Sequence, residues 1–128
     1  MNLFFQFFLT LLIGFAAQFF LPWWWVIAPI AFLIGLIFYN THSIYSFLAG
    51  FLAGLLLWWG MSYYLSTLNH DLLAGRMGQL FGGIPALGME LITGLLGGLL
   101  AGLGALTANL GRQMIKKKNA VEAPSTSE

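Results

Sequence analysis

Long apolar stretches separated by brief polar breaks organise this chain from its first residues to about Ala108. A hydrocarbon core of about 30 Å is crossed by about 20 helical residues at about 1.5 Å each. Leu3 to Leu21 meets that requirement, interrupted only by Gln6, Thr10 and Gln18, and Pro22 ends it. A second run, Trp24 to Tyr39, is shorter and carries Pro29 near its start, where a missing N–H matters least. The polar stretch Asn40, Thr41, His42, Ser43 precedes a third run, Ile44 to Leu65. Pro85 suits the first turn of a fourth helix, which stays apolar to about Ala108 and has scope to continue to Lys116. The pattern predicts an all-α integral membrane protein with four transmembrane helices, over 3–21, 24–39, 44–65 and 85–108.

The sizeable loop between the third and fourth runs, Ser66 to Gly83, predicts a short interfacial helix. Asn69 is placed to cap it, and Asp71 lies in its first turn. Leu73, Met77, Leu80 and Phe81 recur at helical spacing over 70–81, giving one face suited to a membrane surface. Gly82 and Gly83 end it. Residues 1–116 therefore read as one membrane domain, and 117–128, with Pro124 and several Ser, Thr and Glu, as a disordered cytoplasmic tail. The N-terminal run lacks a basic leader, and bulky residues follow it where cleavage needs small ones, so it reads as a retained helix.

Composition sharpens this picture. Only 7% of the 128 residues are charged, against about a quarter in soluble domains. Four of the five basic residues fall at Arg112, Lys116, Lys117 and Lys118, which places the C-terminus on the cytoplasmic side and, with four spans, the N-terminus too. In that topology Trp23, Trp24, Trp25, Trp58 and Trp59, with Tyr63 and Tyr64, gather at the outer interface, where amphipathic rings are favoured, and Tyr39 and Tyr45 at the inner one. A cell membrane is the expected location, and the short loops suggest a bacterial inner membrane. A net charge of +1 gives no reason to expect nucleic acid, and the absence of Cys excludes disulfides and thiolate metal sites.

Small residues form a second pattern. Phe47-Leu48-Ala49-Gly50 is followed by Phe51-Leu52-Ala53-Gly54, so Ser46, Gly50 and Gly54 align four residues apart. Gly94, Gly98 and Gly102 repeat the arrangement in the fourth helix. In lipid, where apolar burial drives little association, such stripes let helices approach closely. They serve either packing within one protomer or a homo-oligomer or partner subunit. Gly98→Leu separates the two, by losing the folded monomer or by dissociating an assembly.

Glu90 is the one acidic residue inside an expected span, on a face with Gly94, Gly97 and Ala101. It is a candidate proton or cation site, with Gln18, Ser62 and Arg76 as expected neighbours, or a structural tie between helices. Gln6, Thr10 and Gln18 are candidates for interhelical hydrogen bonding. His42 and His70 fall on opposite sides of the membrane, so neither a metal site nor a cofactor is expected. No nucleophile, base and orienting group converge in the sequence, which argues against an enzyme. The leading expectation is a non-enzymatic accessory or scaffold subunit acting through helix–helix association, its partners being the lipid bilayer and either a second copy or another membrane protein. The alternative is a small oligomeric channel or transporter with Glu90 along its path.

Overall fold

The computed structural model describes residues 2–38 and 42–122, and every regular element among them is helical. They are α1 (Asn2–Phe20), a 3-10 turn (Trp24–Val26), α2 (Ile27–Ile37), α3 (Ser43–Leu68), α4 (Leu72–Leu80) and α5 (Ala86–Glu122). Three of them, α1, α3 and α5, are long and apolar enough to cross a membrane.

The second apolar run departs from expectation. Its first three residues form the 3-10 turn, and the α-helix proper spans eleven residues. Together they extend about 22 Å, short of a hydrocarbon core of about 30 Å. Pro29 falls in the first turn of α2, and Phe38 is extended at φ −94° and ψ 94°, which ends the helix. Arg112 of α5 closes that end: its guanidinium donates to the carbonyls of Leu36 and Ile37, the latter at 3.0 Å. These carbonyls have no partner within their own helix, and a cation complements the negative end of the helix dipole. Arg112 thus fixes a helix terminus besides contributing to the basic cluster. Tyr39, Asn40 and Thr41 lie outside the described residues.

The loop after α3 also differs. α3 runs three residues beyond Leu65, and Asn69 terminates it, donating its N–H to the carbonyls of Leu65 and Ser66. Asn69 is therefore not the cap of the following helix. His70 and Asp71 take left-handed conformations, φ 54° and 58°, and α4 begins only at Leu72 and ends at Leu80. The tight turn is held by Ser66, whose Oγ donates to Asp71 Oδ1 at 2.8 Å and whose carbonyl accepts from the Asp71 N–H. α5 continues to Glu122, well past Lys116, so residues 117–122 are helical and not an unstructured tail. Good helix formers with no internal proline, and a Lys118–Glu122 pair one turn apart at 3.8 Å, account for the extension. Residues 123–128 lie outside the description.

The packing is inverted relative to a water-soluble protein. The buried apolar residues are mostly alanines: Ala31, Ala49, Ala53, Ala101, Ala105 and Ala108 are fully enclosed. Large side chains face outward, including Phe4, Phe5, Phe8, Leu12, Phe15 and Phe19 along α1. In water so broad an exposed apolar surface would drive aggregation, whereas lipid solvates it without penalty. The most extensive contact is α3 on α5, followed by α2 on α5 and α1 on α3.

Small residues set those distances. A Cβ placed on Gly50 would lie 2.7 Å from the Ala101 carbonyl oxygen, and one on Gly54 would collide with the Gly97 carbonyl. On the opposing helix, Gly98 faces the Phe51 carbonyl, Gly102 the Phe47 ring and Gly94 the Trp59 Cβ, all within 3 Å of an added Cβ. Ser46, at the end of the α3 stripe, donates from Oγ to the Ala105 carbonyl at 3.2 Å. Both stripes are thus occupied inside the protomer.

Candidate functional site

The Trp-rich end of the helix bundle holds a cleft that follows from two local breaks in regular structure. Pro22, which has no N–H to donate, stops α1 just after the Leu21 N–H makes its last helical bond to the Ala17 carbonyl, and residues 21–23 link α1 to the 3-10 turn. The left-handed turn at His70 and Asp71 swings the chain away from α3 into α4. Between these breaks lies a cavity of about 370 Å³, walled by Trp23, Trp24 and Trp58, with Gln18, Ser62 and Thr93 as its polar groups. A neighbouring cavity of about 250 Å³ shares Ser62, Leu65 and Thr93 with it and adds Ser66, Asn69, Met77 and Met89. The shared residues make them two lobes of one cleft bounded by α1, α3, α4 and α5. Its size and its apolar walls with a few polar groups are those of a small-molecule site.

A larger hollow of about 520 Å³ lies between α1 and α3, lined by Leu11, Phe15, Phe19, Leu56, Leu57, Gly60, Met61 and Tyr64. Tyr64 is its one side chain bearing a polar group, so it has little to orient a ligand with. The Trp-lined cleft is the better candidate despite its smaller volume.

The predicted site residues distribute unevenly around this cleft. Gln18 is half-buried in its wall, as is Ser62. Arg76 is exposed on α4 and forms no ion pair with Glu90. Glu90 is 3% exposed, and its Oε2 has no hydrogen-bond partner. The residues that follow it at helical spacing, Gly94 and Gly97, lie against Trp59 and Trp58 respectively. Glu90 therefore occupies the α5 face presented to the Trp pair of α3. The indole N–H groups of Trp58 and Trp59 are themselves buried without an acceptor. A buried polar group of this kind costs free energy while it is unpaired.

Thr93 joins both lobes and was not singled out by sequence; its spacing of three from Glu90 was the available signal. Its hydroxyl donates to the Met89 carbonyl at 3.0 Å and so keeps an acceptor lone pair.

The opposite end of the bundle carries side-chain hydrogen bonds between helices. Gln6, Thr10, Ser46 and Asn109 are fully enclosed there. Gln6 Nε2 donates to Ser46 Oγ at 2.8 Å, joining α1 to α3, and Gln113 Nε2 donates to Ser43 Oγ at 3.0 Å, joining α5 to α3. Thr10 Oγ1 has no hydrogen-bond partner. His42 makes an edge contact with Tyr45, and no group of three potential metal ligands occurs among the described residues.

Comparison with protein-family models, curated proteins and solved structures finds no match.

Proposed function

We propose that this chain is a non-enzymatic integral membrane protein that holds an amphipathic molecule in the Trp-lined cleft, serving a membrane partner as an accessory subunit. The cleft carries this reading, because apolar walls with three convergent polar groups at a bundle end suit a molecule with one wet and one greasy part. In this reading four segments embed in the membrane. The short α2 is completed by its flanks, α4 lies at the interface with Leu72, Leu73, Met77 and Leu80 toward lipid, and both termini are cytoplasmic. The tryptophans then stand at the outer interface and Lys116 to Lys118 at the inner one, each where its chemistry is favoured. The small-residue stripes are taken up within the protomer, so a partner engages the exposed faces of large side chains or the cleft itself.

Intact-complex mass spectrometry after mild-detergent extraction from native membranes tests this. The wild type should retain an amphipathic ligand, alone or with a second protein, and Thr93→Trp, which fills both lobes, should lose the ligand. Equal retention by both proteins would refute the cleft as the site.

A second reading, a small oligomeric transporter with Glu90 on its path, draws support from the buried carboxylate oxygen without a partner. It requires proteoliposome cation flux that Glu90→Gln abolishes; undiminished flux in that variant would remove Glu90 from the path.

A further inference from the structure

We propose that the Trp-lined cleft takes a lipophilic organic cation, with Glu90 supplying the counter-charge behind its aromatic wall. This names the ligand class of the cleft, and so rests on the reading of the cleft as a binding site.

Three observations converge on positive charge. The walls include three indoles, Trp23, Trp24 and Trp58, and indole is the side chain whose ring attracts cations most strongly. Two carboxylates lie beside lining residues without lining the cleft themselves. Asp71 is bound to Ser66, which lines the smaller lobe, and Glu90 lies on the α5 face that meets Trp58 and Trp59. No Lys or Arg lines either lobe, and the basic side chain of α4, Arg76, is exposed and unpaired with Glu90.

Glu90 makes the case specific. It is almost completely enclosed, forms no ion pair, and leaves Oε2 without a hydrogen bond although two indole N–H groups stand unpaired on the facing helix. A carboxyl group in such a place has no cationic partner among the described residues, and a cation bound nearby supplies one. Most of the remaining lining, Leu21, Met61, Leu65, Leu73, Met77 and Met89 among it, is apolar, so the cation that fits carries hydrocarbon substituents in place of a tight hydration shell. Methionines add polarizable, adaptable surface for ligands of differing shape. The oxygens that line the two lobes belong to neutral groups, the hydroxyls of Ser62, Ser66 and Thr93 and the amides of Gln18 and Asn69, and none is the carboxylate a bare divalent ion prefers.

The test uses the purified full chain in lipid nanodiscs and its tryptophan fluorescence. It is titrated with tetraphenylphosphonium, with the anion tetraphenylborate of nearly the same shape, and with neutral triphenylphosphine oxide. Saturable quenching by the cation, at least tenfold tighter than by the anion, is expected in the wild type. Glu90→Gln should weaken cation binding at least tenfold and leave the neutral probe unchanged. The wild-type comparison needs no variant, so it stands even where Glu90→Gln fails to fold. Saturable binding of all three probes without charge preference would overturn the cation assignment and leave the cleft as a binding site. Cation-selective binding that is unchanged in a folded Glu90→Gln would overturn the role of Glu90. Absence of saturable binding by any probe would overturn both the assignment and the reading of the cleft beneath it.

Discussion

Replacing Gly54 by alanine tests the packing that builds the whole molecule. A methyl group there would collide with the Gly97 carbonyl and stand 2.7 Å from the Ala101 Cβ. Both obstacles are rigid parts of α5, so relief requires the two helices to separate. Overpacking of this kind costs about 1–3 kcal/mol. The alanine recovers about 0.5–1 kcal/mol because glycine is the poorer helix former. The net expectation is a loss of about 1–2 kcal/mol, a five- to thirtyfold fall in the ratio of folded to unfolded protein. Gly60 provides the matched control on the same helix, since an added Cβ there meets nothing within 4 Å. Gly60→Ala should therefore gain up to about 1 kcal/mol. The assay is unfolding of the detergent-solubilised protein by increasing dodecyl sulfate, followed by circular dichroism, with the mass of the folded species measured by light scattering. A Gly54→Ala protein as stable as Gly60→Ala, but reduced in assembly size, would refute the reasoning. It would mean that the stripe faces another protomer.

Two further consequences follow from individual contacts. Arg112→Ala should free the Leu36 and Ile37 carbonyls and accelerate hydrogen exchange over residues 33–38, leaving the middle of α3 unaffected; uniform acceleration throughout would contradict a local capping role. Gln6→Leu should remove the α1–α3 tie to Ser46 at a cost of about 0.5–2 kcal/mol in the same dodecyl sulfate assay. A gain in stability would show that the buried amide is a burden on the fold.

Three long apolar helices and the clustering of charge at Arg112 to Lys118 were legible in the sequence. Each is a property of chain segments: a helix in lipid must satisfy its own backbone, so runs of sufficient length announce themselves. The small-residue stripes were legible for the same reason, because helical periodicity alone puts Gly50 above Gly54 and Gly94 above Gly98. Element ends were harder to read. Asn69 has the chemistry of an N-cap yet terminates α3, because the strained turn at His70 and Asp71 is held by a bond from Ser66 that only folding brings about. α5 outran its hydrophobic stretch because its last turns are supported by helix propensity and a side-chain pair, neither of which requires lipid.

Sequence by itself determined that the chain presents apolar surface to its surroundings and that two of its helices carry faces for close approach, since both depend on local periodicity and composition. Tertiary structure decided what those faces meet. The stripes of α3 and α5 close on each other, and Arg112 reaches across to finish α2. Gln18, Ser62 and Thr93, far apart in the chain, come together under a tryptophan wall, while Arg76 stays outside. Such contacts join residues separated by tens of positions, and no helical period encodes them. They depend on which small residue lets which backbone approach, a steric choice made only when the helices assemble.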